Sequence, residues 1–321
     1  MKERFSTKAL ILLGSLFLVF LALEIAIRTY HAYLRHIPFF RSIAYYHESE
    51  LGWNGKLIWG DPNSKKFKIF FIGDSFTNGS RIEEKYMYYS IIKDKLDAEI
   101  FVYGGGAYGS LQEYLALDKY FDKVKPNLVV LQVCDNDFIN NSWKLETKSL
   151  FYNDFKVRPY LINGKLEYRY PLNGNIKMFL AHSRFFLTVL NRICRLSGIL
   201  TEKGLLSGCV EKEIYEKGTD FEDFREAAKI TDEIISKLNK RVGKTPLIAF
   251  AVDDSQPFFQ EFRRIFKKNG VNFIEEVPRA ILEAQERGQA VRLENGHFNE
   301  IGNKICGQVL TEALTKGKFI R

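Results

Sequence analysis

Four short stretches, far apart in the chain, carry the side chains that one kind of chemistry requires. Ser75 stands in the turn "GDS", directly after the apolar run Lys68-Ile69-Phe70-Phe71-Ile72. A glycine-rich turn, "YGGGAYGS", runs from Tyr103 to Ser110, Asn136 lies in "VCDNDF", and His297 lies in "ENGHFNEIG". Taken singly, each has a structural use: Gly-Asp-Ser is a good turn and helix N-cap sequence, glycines make tight loops, and asparagine and histidine cap elements. Taken together they meet the needs of acyl transfer. A serine hydroxyl is a poor nucleophile at neutral pH and needs a base within hydrogen-bond reach, and histidine titrates in the right range. Charge developing on a carbonyl oxygen needs fixed donors, each worth about 3 kcal/mol. The backbone N–H of Ser75, an N–H of the glycine turn and the Asn136 amide are candidates for that task.

Such groups must be brought to one place, and the pattern of apolar runs says how. Strands are expected at 67–72, 98–102, 127–133, 246–252 and 271–274, alternating with helices near 83–96, 112–124, 224–241, 256–268 and 299–316. Strands apolar on both faces, separated by helices, predict a five-stranded, mostly parallel sheet in a three-layer α/β/α sandwich. In such sheets ligands gather beyond the carboxyl ends of the strands, which is where all four stretches fall. One segment, about 139–221, breaks the rhythm and reads as an insertion. It holds a hairpin turning at Asn163-Gly164 and a helix near 175–200, and it is either a wall of the site or a packed decoration.

The four stretches also resemble the motifs of the SGNH hydrolases, the GDSL-type esterases, in the right order and over about residues 66–316. The resemblance implies a flavodoxin-like SGNH fold with Ser75 as nucleophile, His297 as base and Asn136 as oxyanion donor. Three departures accompany it. Glu294 stands where the family has the aspartate of Asp-x-x-His, so either a Ser75-His297-Glu294 triad or a Ser75-His297 dyad is open. Aligning "AYGSLQE" with the family's Gly-Tyr-Gly-x-x-Gln puts Ala107 in place of the oxyanion glycine, with Gly106 as donor if the turn shifts by one residue. Cys134 replaces the glycine two residues before Asn136, a change expected to affect packing only. Among rival bases, His31, His36 and His47 precede the sheet and His182 lies in the insertion; among rival acids, Asp253 and Asp254 end the fourth strand.

The N-terminus points to a membrane. Ala9 to Leu23 carries no charge, and counted through Ile27 the run is roughly 28 Å long as a helix, close to a hydrocarbon core. Lys2, Arg4 and Lys8 precede it, and no small-x-small cleavage site follows. The expectation is a signal-anchor over residues 1–28 with a cytoplasmic N-terminus, a cleaved leader being the alternative, and with Glu24 at head-group level. Residues 29–65 then read as a connector and 66–321 as an extracytoplasmic catalytic domain.

With 321 residues, 46% of them apolar, the chain can bury a full core, and disorder is excluded. The net charge of +8 is spread along the chain and forms no nucleic-acid-type run; it suits an anionic glycan or lipid surface. Cys134, Cys194, Cys209 and Cys306 have no metal-type spacing, and a Cys194–Cys209 bridge is one option beside buried free thiols. The expected activity is cofactor-free ester hydrolysis of an acylated substrate such as an O-acetylated surface glycan. The alternatives are O-acyl transfer to a polysaccharide and a non-catalytic glycan- or lipid-binding domain.

Overall fold

The computed structural model describes residues 2–202 and 210–319. Eight strands are present among them: β1 (Lys56–Ile58), β2 (Lys68–Gly73), β3 (Glu99–Gly104), β4 (Leu128–Val133), β5 (Arg158–Ile162), β6 (Lys165–Arg169), β7 (Leu247–Ala251) and β8 (Asn272–Ile274). The main sheet has the order β1-β3-β2-β4-β7-β8, parallel throughout except for β1, which runs antiparallel to β3. It has six strands instead of the expected five. The sixth is β1, at three residues too short to announce itself, and it comes from the segment read as a connector. That segment also buries Leu51 and Trp53 in the main core, so it packs as part of the globular body.

Side chains alternate across a strand, and here each face has its own helices. Phe70, Ile72, Val129 and Leu131 pack on one face with helices Ser110–Val124, Glu222–Val242 and Phe258–Lys268. Ile69, Phe71, Leu128 and Val130 pack on the other with Tyr88–Leu96, Glu276–Glu286 and Glu300–Lys316. All six residues of β4 are buried, as a strand covered on both faces must be. This is the expected three-layer α/β/α sandwich. The chain leaves β2 for β3 on one side and returns to β4 on the other, so a crevice opens at the carboxyl end of β2.

In the insertion, β5 and β6 pair around Asn163 and Gly164, both at positive φ (49° and 74°), the geometry a tight two-residue hairpin demands. The helical part is split into Asn175–Leu180 and Arg184–Glu202. Cys209 lies outside the described residues, and with it the question of a bridge to Cys194; Cys134 and Cys306 are buried free thiols.

One N-terminal helix, Lys2–Arg35, is long and apolar enough over Thr7–Leu34 to cross a bilayer. Its Leu10, Leu13, Leu16 and Phe17 are exposed. Glu24 has protein partners that the sequence did not suggest. It is buried and accepts hydrogen bonds from the Arg184 and Phe185 N–H groups (3.0 and 2.9 Å) and the Ser183 hydroxyl (2.9 Å). Arg28 Nε completes its shell at 2.6 Å and donates from its other nitrogens to the Phe39 and His182 carbonyls. The carboxylate therefore ties the apolar helix to the insertion, a contact 160 residues away in sequence that no local pattern encodes.

Candidate active site

β2 ends in Gly73, where any side chain would collide with Thr77 Oγ1 and Gln132 Oε1, so only glycine fits. Asp74 follows as an N-cap, its Oδ1 accepting from the Phe76 N–H at 2.8 Å. From β4, Gln132 Oε1 accepts from the Asp74 and Thr77 N–H groups (3.1 and 3.2 Å) and from the Thr77 hydroxyl (2.9 Å). Ser75 is thus the first residue of a one-turn helix clamped to the sheet centre. Burial, with Asp137 nearby, pushes the Asp74 carboxyl well above its ordinary range, which suits a buried cap and not a charged participant.

His297 arrives from the loop before the last helix. Asn299 caps that helix through the Ile301 and Gly302 N–H groups, both 3.0 Å away. Arg292 braces the loop by donating to the Gly296 and Val252 carbonyls (2.7 and 3.0 Å). The imidazole stacks on Phe76 with ring centres 4.6 Å apart. Its Nε2 is 2.7 Å from Ser75 Oγ, although 222 residues separate the two. Its Nδ1 faces the Asn295 carbonyl at 3.3 Å. A carbonyl only accepts, so the ring proton belongs on Nδ1, leaving the Nε2 lone pair for the Ser75 hydroxyl. Desolvation lowers the pKa of the imidazole below its ordinary 6.5, the Asn295 carbonyl opposes this, and the cationic Arg81 and Arg292 lower it further.

Among the described residues no carboxylate orients the ring. Glu294 is exposed and makes no hydrogen bond to His297, because its side chain leaves the loop toward solvent. Asp253 caps the Ser255 N–H at 3.2 Å, and Asp254 likewise makes no bond to the ring. His182 packs near Tyr45 in the insertion, away from the cleft.

Asn136 opens the helix Asn136–Asn141 after β4 and is buried. Its Nδ2 donates to the Tyr108 carbonyl (2.8 Å) and to Asn140 Oδ1 (3.0 Å), so both amide hydrogens are engaged. Beside it, the glycine-rich segment closes as a four-residue turn, with the Tyr108 N–H on the Gly105 carbonyl at 3.1 Å. Ala107 sits third in this turn at φ 59°, where glycine is the ordinary occupant, and Gly106 precedes it without positive φ. A left-handed alanine costs roughly 1–2 kcal/mol. The Ala107 and Ser75 N–H groups make no hydrogen bond within the described residues.

These groups surround a cleft of about 570 Å³, with Ser75, Ala107, Asn136 and His297 in its wall. A second hollow of about 200 Å³ opens on the other side of Ser75 and His297, against Arg81, Ile82 and Phe298. The insertion supplies Phe151, Tyr152 and Lys156 to the larger cleft, so it forms a wall and is more than decoration. Cys134 lines the same cleft; its Sγ donates to Asp135 at 3.1 Å, and its N–H donates to Asp137 at 2.8 Å, a backbone bond that glycine would make as well.

Set beside known proteins, the chain matches no family model and no curated relative. Solved structures do resemble it. It is similar to a lipolytic protein of the G-D-S-L family from Veillonella parvula (12% identity, 78% of this chain and 98% of that one, TM-score 0.39). It is also similar to the acetyl xylan esterase AlAXEase (14%, 77% and 99%, TM-score 0.42) and to the psychrotrophic esterase EstA from Pseudoalteromonas sp. (10%, 78% and 98%, TM-score 0.41). At these scores the likeness is one of chain arrangement, and the chemistry has to be read from the site itself.

Two side chains of the site escape any reading of the four motifs. Trp53 donates its Nε1 hydrogen to the Gly106 carbonyl at 3.0 Å. Arg158, on β5 and buried, donates from Nη1 to the Ala107 carbonyl at 3.0 Å and to Gln112 Oε1 at 3.2 Å. Its Nε lies 2.9 Å from Glu146 Oε2, which also accepts from the Tyr160 hydroxyl at 2.9 Å. The one signal in the sequence was chemical: an arginine and a glutamate in apolar surroundings must find partners if they are buried.

Proposed function

We propose that the chain is a serine-dependent ester hydrolase. The observation that carries this reading is the 2.7 Å contact between Ser75 Oγ and the His297 nitrogen left free for a proton. In the first step Ser75 Oγ attacks the ester carbonyl carbon while His297 Nε2 takes the hydroxyl proton. The tetrahedral oxyanion is held by the Ser75 and Ala107 N–H groups; collapse expels the alcohol, which takes the proton from His297. In the second step water, deprotonated by His297, attacks the acyl-serine and the acid leaves. Asn136 adds its amide to the oxyanion only by turning a hydrogen away from Asn140; otherwise it serves by fixing the Tyr108 carbonyl. His297 is oriented by the Asn295 carbonyl, so the working unit is a dyad, without Glu294.

The hollow of about 200 Å³ suits a short acyl group such as acetyl. The larger cleft, walled by Tyr152, Lys156 and Asp253, suits a hydroxyl-rich alcohol, and an acylated glycan is the substrate class that fits. The basic residues Lys2, Arg4 and Lys8, ahead of the uncharged stretch of the N-terminal helix, favour a catalytic body outside the cytoplasm.

The test is direct. The detergent-solubilised chain should hydrolyse p-nitrophenyl acetate and be labelled at Ser75 by a serine-directed phosphonate, and Ser75→Ala should lower kcat by about 10⁴-fold or more. An unchanged rate in Ser75→Ala would remove the serine mechanism.

A further inference from the structure

We infer that Trp53, from the segment ahead of the sheet, is the positioning residue that sets the oxyanion-binding peptide between Gly106 and Ala107. The inference rests on the serine-hydrolase reading and adds a control element to it.

Turns of types I and II differ by a flip of their central peptide, and type II requires positive φ at the third residue. In the Gly105–Tyr108 turn that residue is Ala107, at φ 59°, while the neighbouring Gly106, which could adopt positive φ freely, does not use it. Local preference therefore opposes the observed conformer, and other parts of the chain must hold it. Three donors do so, from three separate segments: Trp53 on the Gly106 carbonyl, Arg158 on the Ala107 carbonyl and Asn136 on the Tyr108 carbonyl. Of these, the Trp53 bond alone acts on the central peptide itself.

A trans peptide is planar, with its C=O and N–H pointing opposite ways. Holding the Gly106 carbonyl at the indole, 3.0 Å away, turns the Ala107 N–H to the opposite side. Ala107 lines the cleft of Ser75 and His297, whereas Trp53 lines a different hollow. If the peptide flipped, Ala107 would relax to negative φ, and a carbonyl oxygen would replace the N–H donor and repel the oxyanion. The indole is itself well anchored. The Tyr108 hydroxyl donates to the Trp53 carbonyl at 2.5 Å, and the Arg158 guanidinium lies 4.8 Å from the centre of the Trp53 ring.

The test is Trp53→Phe in the full-length, detergent-solubilised enzyme, a change that keeps an aromatic ring and removes the donor. The expectation is a fall in kcat on p-nitrophenyl acetate of at least about tenfold, one donor being worth about 10²–10³ when lost outright, with KM within about twofold. Adding Ala107→Gly should restore most of the lost kcat, because glycine takes positive φ without help; a merely structural role for Trp53 predicts no such rescue. Wild-type kcat in Trp53→Phe, or a loss that Ala107→Gly leaves in place, overturns the inference. Should Trp53→Phe fail to fold, Ala107→Val with Trp53 intact raises the cost of positive φ, and an unchanged kcat there overturns it equally. Ser75→Ala separates the two levels: activity surviving in that variant defeats the hydrolase reading, whereas an inactive Ser75→Ala beside a fully active Trp53→Phe defeats only the role of Trp53.

Discussion

Two turns stand side by side at the carboxyl edge of the sheet, the Gly105 N–H on the Gly73 carbonyl at 3.1 Å, and they are held in different ways. The Gly73–Ser75 turn is fixed by its own residues and the strand beside it: a glycine where nothing else fits, a cap one residue before the serine, and Gln132 on β4. The Gly105–Tyr108 turn contains a left-handed alanine and is fixed by Trp53, Asn136 and Arg158, 53, 28 and 51 residues from the carbonyls they hold. The first turn owes its glycine and its cap to its own sequence and one brace to Gln132; the left-handed alanine of the second is held by distant donors alone. A turn of the second kind is vulnerable to changes far from the reacting atoms, and it is where substitution should separate stability from chemistry.

The sharpest break is at Arg158. Replacing it with Met removes one partner of a fully buried pair and leaves Glu146 uncompensated, so unfolding free energy should fall by about 3–5 kcal/mol. Denaturant titration reads this. The double change Arg158→Met with Glu146→Leu should recover much of the stability, since the uncompensated charge is gone, yet kcat should stay low because the Ala107 carbonyl has lost its donor. Equal recovery of both would mean that β5 plays no part in shaping the turn.

Asn136 comes next. Asn136→Ala removes both the hydrogen bond to the Tyr108 carbonyl and any donation to the oxyanion, and kcat should drop by about 10²–10³-fold. Asn140→Ala asks which of these dominates. It frees one Asn136 hydrogen for the oxyanion and leaves the Tyr108 bond in place, so a rise in kcat marks Asn136 as a direct donor. An unchanged kcat in Asn140→Ala would mean that the Asn136 side chain acts as a brace alone.

The contrast between the turns also explains which parts of the molecule are legible in its sequence. The five parallel strands announce themselves through runs such as Ile69-Phe70-Phe71-Ile72, apolar on both faces, and the hairpin through Asn163-Gly164. The approach of His297 to Ser75 can be anticipated because each borders a legible element, Ser75 after β2 and His297 before the last helix. What stays hidden depends on partners without periodicity. β1 is three residues with no apolar alternation, Glu24 looks like a charge at the end of a span until the Arg184 and Phe185 amides meet it, and Trp53 looks like any aromatic near a membrane. Glu294 illustrates the reverse failure. The spacing to His297 suggests an orienting acid, but Gly296, at φ 83°, and the Leu293–His297 backbone pairing turn the loop so that a carbonyl reaches Nδ1 first.

The histidine gives a smaller effect that bears on the first turn alone. Its lowered pKa keeps the base neutral through the physiological range, so the acid limb of kcat/KM, which reports the free enzyme's base, should lie below pH 6.5. The sign follows from the direction of the shift: protonation of Nε2 abolishes the proton acceptor, and the depressed pKa moves that loss to lower pH. Arg81→Gln removes one of the cations that disfavour the imidazolium and should move the limb upward. A limb above pH 6.5 in the unaltered chain would mean that a nearby carboxylate stabilises the imidazolium after all.

Glu294 is the carboxylate that such a limb would implicate, and the smallest effect is expected there. With the Glu294 side chain exposed and the ring hydrogen directed at the Asn295 carbonyl, Glu294→Gln should change kcat by no more than about twofold. A carboxylate that orients a catalytic imidazole behaves otherwise, since its amide substitution stabilises the wrong tautomer and costs about 10⁴-fold in the triad enzymes where it has been removed. The two expectations differ by nearly four orders of magnitude, so one steady-state measurement decides between them. A large loss would show that the loop rearranges on substrate binding to bring the glutamate under Nδ1, and His297 would then depend, as Ala107 does, on a contact its own sequence does not fix.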